Sequence, residues 1–424
     1  MDDTIFALSS GAPPAAIGII RVSGPCAGAT LKALTGRDID PRRPSLAVLR
    51  DSSGTTLDQA LVLWFPGPET ATGEDLAELH CHGGRAVISA VEAALGALEG
   101  LRKAEPGEFT RRAFANGRID LSEAEGLADL LSAETELQRR SAIAMAGGSF
   151  SQQVEDWRSR VLALSAEVEG VLDFSDEEDS SDLPEDFRTR VHGLSRELED
   201  WLSRPRAERL GEGFRVILSG PPNTGKSTLF NILVDSDAAI TSPIAGTTRD
   251  VIERSVALGG IPFTFVDTAG LREDGDDPIE AIGVARARDV ASKADLVLWL
   301  GEEGGGPVGA WEIEPKCDEG GSTKSDPRHR VSAMTLNGVE ALKADLISAA
   351  RGVMPKPGEL ALNARQHGLV ADAHAAISAI VEHSDALIVG EGLRSARVAF
   401  DRLIGRSTTE DMLDVLFGRF CVGK

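Results

Sequence analysis

Residues 220–228, GPPNTGKST, have the types and spacing of a phosphate-binding loop. They satisfy the pattern G-x-x-x-x-G-K-[ST] between a hydrophobic run and a helical pattern, a context that disfavours an ordinary glycine-rich turn. In such a loop, backbone N–H groups surround the phosphates, the lysine reaches the β and γ phosphates, and the serine hydroxyl binds magnesium. The sequence therefore predicts a nucleoside triphosphate site with contacts from Asn223, Thr224, Gly225, Lys226, Ser227 and Thr228.

A second phosphate motif, DTAG, ends a hydrophobic run at 261–267. It predicts a carboxylate for the magnesium shell and a glycine N–H for the γ phosphate. Between the two motifs, GTTRD at 246–250 offers the Thr247 and Thr248 hydroxyls, and its position favours a switch segment over a simple turn. The predicted nucleotide contacts of this second motif are Asp267, Thr268, Ala269 and Gly270.

Base recognition in such domains uses a carboxylate that accepts from guanine, usually within an Asn-Lys-x-Asp box after a strand. The candidate is PKCD at 315–318, where Pro315 replaces the Asn that normally ties this loop to the phosphate loop. A rival, TKSD at 323–326, leaves too few residues before the next strand. Guanine is the predicted base, with weaker affinity as a consequence of Pro315, and the predicted contacts are Lys316, Asp318, Ser332 and Ala333.

Hydrolysis requires a group that orients the attacking water, and Leu271 follows DTAG where Ras-like enzymes carry a Gln. The candidates to replace its function are Glu280, Arg249 and Arg272. Glu280 is equally compatible with a solvated helix start, and each arginine with a surface ion pair. Sequence alone leaves these alternatives open.

Cysteine and histidine patterns predict single side chains rather than metal centres. The four cysteines are widely spaced without a C-x-x-C pair, which disfavours a disulfide framework or a structural zinc site. In HCHGG, His80 and His82 lie on one strand face without a third ligand, so a hydrogen-bonded strand end is the favoured interpretation. Cys421, in FCVGK, is either a reactive thiol near Lys424 or an inert one.

The elements that position these motifs change in type along the chain. Short β patterns at 17–22, 61–65 and 75–81 and a helix near 86–98 predict an N-terminal α/β domain over residues 1–118. An S-x-x-E capping box at Ser122 and Glu125 predicts one long helix, and Val191, Leu194, Leu198 and Leu202 predict another in a helical segment over 119–210. Alternating strands and helices, ending with a helix near 337–351, predict a parallel α/β domain over 211–353.

Residues 354–424 are again helical in pattern. The predicted fold is therefore an N-terminal α/β domain and a discontinuous α-helical domain with an inserted α/β P-loop domain. Two separate helical units are the alternative.

Charge and composition disfavour several classes of protein. With 44 basic and 67 acidic residues in 424, the net charge is −23, which disfavours a generic nucleic-acid binder. Residues 121–205 hold 8 basic and 20 acidic side chains, or −12, so about half of the deficit lies in one segment. No apolar run approaches the length of a membrane span, and the start of the sequence lacks a basic signal region, so a cytosolic protein is expected.

The assembled motifs resemble one family, the MnmE (TrmE) tRNA-modification GTPases. The resemblance extends from DTIFALSSG and GIIRVSGP through ELHCHGG, PGEFTRRAFANGRIDLSEAE, the P-loop, GTTRD and DTAGLRE to FCVGK. It implies a homodimeric GTPase that works with the flavoprotein MnmG (GidA) in a heterotetramer on the wobble uridine of tRNA. A regulatory GTPase of the Era or EngA kind is the alternative, but those proteins end in an RNA-binding domain rather than FCVGK.

The resemblance also implies cofactors and residue roles. GTP hydrolysis would depend on Mg²⁺ and K⁺, with a tetrahydrofolate derivative (5-formyl or 5,10-methylene) as the one-carbon donor. Magnesium would be bound by Ser227 and Thr248, and Glu280 would orient the water. Potassium would be bound by Asn223, Ser242, Ile244 and Thr247, and folate by Arg21, Glu78, Arg118 and Lys424. Cys421 matches the cysteine that the family requires, and Arg118 stands where a Lys is common.

Overall fold

The protein is described by a computed structural model covering residues 3–173, 183–235, 252–267, 294–320, 323–407 and 410–424. The chain forms two compact units. The first unit comprises Met1–Ala128, Ala146–Ser159 and Phe400–Lys424, and the second comprises Asp129–Met145 and Arg160–Ala399. The domain boundaries expected from sequence stay predictions.

The first unit contains a six-stranded sheet in the order β3-β4-β5-β2-β1-β6. Neighbouring strands are antiparallel except β6, which is parallel to β1. The three strands predicted from sequence are confirmed as β2, β4 and β5, and β4 begins five residues earlier than expected. The strands are β1 Thr4–Leu8, β2 Ile17–Ser23, β3 Ser45–Arg50, β4 Thr56–Phe65, β5 Leu76–His82 and β6 Leu101–Lys103.

Side-chain alternation gives this sheet two different faces. One face packs its apolar residues with helices α1 (Ala27–Thr35) and α2 (Arg85–Gly96), and α2 confirms the predicted helix. In β2 and β5 the polar residues between those core positions are Arg21, Glu78 and His80, which are only partly buried, as is Ile19. Because successive strand residues point to opposite faces, these three polar side chains share the face away from α1 and α2.

Helices α3 (Glu108–Ala115) and α4 (Leu121–Ser132) follow the sheet, and the predicted cap of α4 is wrong. The Asp120 carboxylate accepts the Glu123 N–H at 2.9 Å, and the Glu123 carboxylate accepts the Asp120 N–H at 2.7 Å. This reciprocal pair forms the capping box, which begins two residues earlier than the predicted box at Ser122. Ser122 cannot cap because it is already inside the helix, where its hydroxyl is buried and donates to the Leu403 carbonyl at 3.0 Å.

The single long helix predicted after residue 121 is also wrong, because three helices occupy this region. They are α4, α5 (Glu136–Ala146) and α6 (Ser149–Asp173). Gly148 lies between the last two with φ +78°, a left-handed conformation that ends a helix and that glycine adopts without strain. Alanine- and glutamate-rich composition therefore predicted helix correctly but not its breaks.

The remaining helices complete the helical regions. In α7 the core positions are Val191, Leu194, Leu198 and Trp201, so Trp201 replaces the predicted Leu202 as the buried residue of the last turn. Helix α7 packs against α11, which spans Ala364–Ile380, in the second unit. The bounds are α7 Phe187–Ser203, α11 Ala364–Ile380, α12 Ala386–Leu403 and α13 Glu410–Phe417.

The second unit contains the predicted α/β domain, which is confirmed. Its sheet has the order β12-β11-β10-β7-β9-β8, with β8 antiparallel to β9 and the other pairs parallel. The strands are β7 Phe214–Ser219, β8 Ile252–Leu258, β9 Ile261–Asp267, β10 Leu296–Trp299, β11 Trp311–Glu314 and β12 His329–Arg330. The described helices of this domain are α8 Glu208–Glu212, α9 Lys226–Asp235 and α10 Val339–Val353, the last close to the predicted 337–351.

Candidate functional site

The predicted phosphate loop connects the buried central strand β7 to helix α9. Gly220 (φ +150°), Asn223 (φ +64°) and Gly225 (φ +89°) all have positive φ angles. Alternating left- and right-handed residues turn successive N–H groups toward one concave side, which forms an anion-binding nest at a helix N-terminus. The backbone geometry therefore fits a phosphate chain.

Side chains of the same loop lie at the mouth of this nest. Lys226 is buried and its Nζ donates to the Pro221 carbonyl at 2.7 Å, across the loop. Thr224 donates from Oγ1 to the same carbonyl at 3.0 Å, whereas Ser227 and Thr228 are exposed. Asp267, at the end of β9, is buried and pairs in register with Leu218 of β7. The serine hydroxyl and this carboxylate supply oxygen donors of the kind that magnesium prefers.

The predicted base loop follows β11 at the same edge of the sheet. A Cβ placed on Gly225 would lie 4.0 Å from the Pro315 Cβ, so the base loop lies beside the phosphate loop. The Cys317 N–H donates to the Val331 carbonyl at 3.2 Å, which joins the base loop to the segment carrying Ser332 and Ala333. Lys316 (φ +56°) and Asp318 are exposed, and Ser332 is buried with its hydroxyl accepting the Thr335 N–H at 3.1 Å.

The rival TKSD segment has a different environment. The Lys324 side chain is buried, and its Nζ donates to the Trp299 carbonyl at 2.9 Å and to Glu312 Oε2 at 2.5 Å. These contacts fasten the loop before β12 to strands β10 and β11. Lys324 is therefore engaged by the sheet, and the choice of PKCD over TKSD stays a prediction.

Several predicted site residues lie outside the described residues, and their roles stay predictions. They are Ser242, Ile244, Thr247, Thr248, Arg249, Thr268, Ala269, Gly270, Arg272 and Glu280.

A second polar site lies on the first unit's sheet, where the predicted folate residues Arg21 and Glu78 face each other in register. Arg21 donates from Nη2 at 2.9 Å and from Nε at 3.2 Å to Glu78 Oε1, and His80 Nε2 lies 3.2 Å from Glu78 Oε2. Burial opposes ionisation of Glu78, but Arg21 and His80 outweigh it and hold the pKa of this carboxyl below its usual range. The Arg21 guanidinium also lies 5.9 Å from the Phe109 ring centroid. Strand periodicity could have indicated His80, whereas no sequence signal indicated Phe109.

Arg118 lies between α3 and α4 and contacts the loop between β4 and β5. Its Nη1 is 3.3 Å from the exposed Glu69 carboxylate. The neighbouring Asn116 side chain donates to the Thr72 carbonyl at 2.7 Å and fastens the same loop. Glu69 was not expected from sequence, because a loop carboxylate has no pattern that marks it.

The FCVGK segment lies against the N-terminal sheet of the same unit. Val422 forms an antiparallel bridge with Pro106, and the Gly107 N–H donates to the Cys421 carbonyl at 3.5 Å. Gly423 has φ +98°, and a Cβ there would lie 2.0 Å from the Leu8 carbonyl oxygen. Only glycine fits this contact, which leaves Cys421 exposed and Lys424 partly exposed beside the end of β1.

The hydrogen-bonded interpretation of HCHGG is confirmed. His82 Nδ1 lies 2.7 Å from Asp58 Oδ1, and His80 is held by Glu78. Within the described ranges, no group of three or more His, Cys, Asp or Glu side chains is placed to hold a metal ion.

The sheet order, the phosphate nest and the adjoining base loop define a multidomain P-loop GTPase. Sequence comparison matches residues 4–118 to the GTP-binding protein TrmE N-terminus and residues 121–421 to the MnmE helical domain. Relatives called tRNA modification GTPase MnmE are 62% identical in Erythrobacter litoralis and 59% identical in Novosphingobium aromaticivorans, with 100% of each chain covered. The chain therefore belongs to the tRNA modification GTPase MnmE family, binds GTP and acts as a GTPase in tRNA modification.

Among solved structures, the G domain of the T. maritima FeoB iron transporter aligns at 24% identity and a TM-score of 0.24. It covers 32% of this chain and 98% of that one. The family assignment does not favour the Era- or EngA-like alternative. None of the helices in the described part of the chain has the length and apolar character that crossing a membrane requires.

Proposed function

We propose that this chain is the GTP-hydrolysing subunit of a complex that adds an aminomethyl or carboxymethylaminomethyl group to carbon 5 of the wobble uridine. The observation that carries this proposal is the docking of FCVGK onto the sheet that bears Arg21 and Glu78. It brings the family's required cysteine segment to the domain that would hold the one-carbon donor. A GTPase acting only as a switch has no need of that arrangement.

GTP would bind with its phosphates in the nest of residues 220–225 and its guanine edge at Asp318. Lys226 would exchange its hydrogen bond with the Pro221 carbonyl for the β and γ phosphates, where its charge offsets the developing negative charge. Ser227 and Thr248 would hold magnesium, which when bound neutralises charge on the bridging phosphates. Glu280 would orient the attacking water, because no Gln follows DTAG.

Potassium, when bound, would supply positive charge near the transferred phosphate. Asn223 fits this role in the described part of the chain, because it is exposed in a left-handed conformation at the tip of the nest. Its amide oxygen is a suitable hard donor. Ser242, Ile244 and Thr247 would complete the ligand set.

The tetrahydrofolate derivative would lie on the first unit's sheet. Glu78 would accept from the donor edge of the pterin, and Arg118 and Lys424 would pair with the carboxylates of the glutamate tail. The part-buried Arg21 and Glu78 pair fits this role, because the lowered pKa of the Glu78 carboxyl favours its charged form and the Arg21 guanidinium has the Phe109 ring nearby. Arg21 and His80 would orient Glu78.

Assembly would involve a homodimer and the flavoprotein MnmG (GidA), and the complex would act in the cytoplasm. An apolar surface supports the homodimer, because an exposed apolar patch is typical of an interface. Leu46 and Leu61 are opposite each other on β3 and β4, and together with Ile17 and Val48 they are exposed.

The modification step is tested by nucleoside analysis of tRNA from a deletion strain that expresses each variant. Wild type should restore the modified wobble uridine, and Cys421→Ser should not, although its GTP hydrolysis in vitro is retained. Cys26→Ser, a partly buried cysteine of the same unit, is the control and should restore modification. Unchanged wobble uridines in the deletion strain would refute the proposal.

The hydrolysis mechanism is tested by turnover measurements in potassium and sodium salts. Potassium should stimulate hydrolysis strongly, and Glu280→Ala should lower turnover while nucleotide affinity stays nearly unchanged. Equal rates in both salts would remove the potassium assignment.

A further inference from the structure

Four arginines beside the edge strand β3 differ from most other arginines in their pairing. Many arginines are engaged with carboxylates, including Arg139 and Arg140 with Glu136, and Arg394 with Glu391. In contrast, no carboxylate within the described residues lies at ion-pair distance from the four, although all are exposed. We name them the arginine rim: Arg37, Arg42, Arg43 and Arg50.

Neutral acceptors hold three of these guanidinium groups in place. Arg37 Nη2 donates to the Leu46 carbonyl at 2.9 Å, and Arg42 Nη2 donates to the Glu69 carbonyl at 2.8 Å. Arg50 Nη1 donates to the Thr56 hydroxyl at 2.9 Å and to the Gly54 carbonyl at 3.1 Å. Each guanidinium has five N–H donors, so each keeps donors and its full charge for another acceptor.

The backbone at Arg42 adds a second observation. This residue has φ +57°, a left-handed conformation that glycine adopts far more readily than arginine. Its N–H donates to the Trp64 carbonyl at 2.7 Å, so both its backbone and its guanidinium are fixed. A strained position that keeps a charged side chain suggests a function for that charge.

Nearby acidic side chains do little to neutralise the rim. Asp38 pairs with Lys32 at 3.0 Å, and the Glu69 carboxylate lies against Arg118. The Asp51 carboxylate accepts the Ser53 and Thr55 N–H groups at 2.9 Å, which holds it in the β3–β4 turn. Asp40 and Asp51 keep their charges, but residues 32–51 hold five basic and three acidic side chains, so the rim keeps a net positive charge in a chain of net charge −23.

A purely structural role explains part of the rim. The Leu46 carbonyl belongs to an edge strand, and Arg37 covers it, which opposes unwanted strand pairing. That role does not account for Arg42 and Arg43, which precede the strand, or for the uncompensated charge of all four.

We propose that the arginine rim binds the phosphate backbone of the tRNA substrate. This inference rests on the tRNA-modifying activity and does not require the folate or potassium assignments. Guanidinium groups bind phosphate oxygens through paired N–H donors, and a prepositioned guanidinium loses less freedom on binding. The six residues of β3 extend about 20 Å, so Arg37 beside its start and Arg50 at its end are far enough apart to contact different phosphates.

The test compares two variants of the full chain with the same change in net charge. The rim variant carries Arg37→Gln, Arg42→Gly, Arg43→Gln and Arg50→Gln. The matched control carries Arg139→Gln, Arg140→Gln, Arg204→Gln and Arg394→Gln, which removes four exposed or partly exposed arginines that are already paired with carboxylates. Affinity for a labelled transcript of a tRNA with a wobble uridine is measured by fluorescence anisotropy at several potassium chloride concentrations.

The rim variant should bind at least about tenfold more weakly near 50 mM salt. The slope of log affinity against log salt should become shallower by about 3, since each lost phosphate contact removes about 0.7–0.9. The control should keep the wild-type slope within about 1. Wild-type GTP hydrolysis together with a wild-type urea-unfolding transition of the first unit would show that both variants fold. The rim variant with Arg37 restored distinguishes the loss of edge-strand protection from the loss of tRNA binding.

Equal slopes in the wild type and both rim variants would overturn the proposal and would point to an acidic protein partner instead. Equal losses in the rim variant and the control would also overturn it, because net charge alone would then explain the effect. A wild-type complex that binds tRNA but leaves its wobble uridine unchanged would instead refute the proposed function, with the rim still testable by its salt slope.

Discussion

At the residue scale, the two K-x-D segments show where sequence reasoning stops. PKCD and TKSD both offer a lysine and an aspartate two positions apart, and only spacing favoured the first. The fold gives them different environments, because Lys324 is buried against the Trp299 carbonyl whereas Pro315 lies 4.0 Å from a Cβ built on Gly225. Burial of a lysine depends on which strands surround it, and a short motif does not encode that environment.

Replacing Pro315 with Asn should raise the affinity for GDP and GTP by about 2- to 10-fold. Proline has no side-chain donor, whereas the Asn amide can bond to the neighbouring phosphate loop, and one hydrogen bond contributes about 0.5–1.5 kcal/mol. Titration with a fluorescent guanine nucleotide measures the change. Pro307→Asn, in the exposed loop before β11, should leave the affinity unchanged. Equal or weaker binding by Pro315→Asn would show that the loop is not positioned for this contact.

The lowered pKa of Glu108 predicts that the first unit loses folding stability at acidic pH. Burial opposes its ionisation, but hydrogen bonds from Arg102, the Glu105 N–H and Arg112 outweigh it and lower the pKa of its carboxyl below the ordinary 4.5. A lowered folded-state pKa contributes stability above the unfolded value, and this contribution is lost as the pH falls through the folded value.

Glu108→Gln should therefore flatten the fall in the free energy of unfolding below about pH 4.5. Urea unfolding of the full chain between pH 3.5 and 7, followed by a signal of the first unit, measures it. Glu92→Gln, which removes a carboxylate paired only with the exposed Lys103, is the control and should keep the wild-type pH dependence. An unchanged profile in Glu108→Gln would contradict the assignment.

At the element scale, helix α3 contacts several segments of the first unit, including the polar site at Arg21 and Glu78. Its Phe109 ring lies near Arg21, and its Arg112 contacts Asp3 before β1, Glu74 before β5 and Glu108 within the helix. Apolar periodicity predicts which helix face is buried, but not that an arginine belongs to that face. The α4 cap shows the same limit, since D-x-x-E and S-x-x-E overlap in sequence and only Asp120 precedes the first helical turn.

Arg112→Leu should destabilise the first unit by about 3–5 kcal/mol, because it leaves the Glu74 and Glu108 carboxylates without their buried partner. Arg111→Leu, one position earlier, should cost at most about 1 kcal/mol, since its pairs with Glu410 and Asp414 lie at the surface. Urea denaturation at neutral pH compares the two. Similar losses in both variants would contradict the distinction between buried and surface pairs.

Gly423→Ala should detach the terminal segment from the sheet. The added Cβ would lie 2.0 Å from the Leu8 carbonyl oxygen, and the backbone has φ +98°. We expect tRNA modification to fall at least tenfold with GTP hydrolysis retained. Gly36→Ala, which has φ +70° but open space around it, tests backbone strain alone and should modify tRNA normally. Wild-type modification by Gly423→Ala would show that the docked position is not needed.

At the scale of the whole molecule, the sequence predicted the multidomain fold well because each region has its own periodicity. Strand alternation, helical spacing and the βαβ pattern are local signals, so the sheet domains and most helices were recoverable. The division into two compact units was not recoverable, since the second unit takes in 129–145 and the first takes in 400–424. Contacts between segments hundreds of residues apart leave no local pattern.

In a chain of net charge −23, the affinities for tRNA and for GTP should respond differently to salt. With about four phosphate contacts, tRNA affinity of the chain alone should fall on the order of a hundredfold between 50 and 200 mM salt. GTP affinity should change far less, because the nest and Lys226 act at close range within the protein. Parallel titrations of the same preparation measure both. A tRNA affinity that is insensitive to salt would contradict this electrostatic account.

The bridge between Val422 and Pro106 also has a consequence for the time course of synthesis. Pro106 leaves the ribosome early, yet its bridge partner Val422 is translated about 300 residues later. At roughly 5–20 residues per second this interval is about 15–60 s. During it, the nascent N-terminal sheet exists without the segment that carries Cys421.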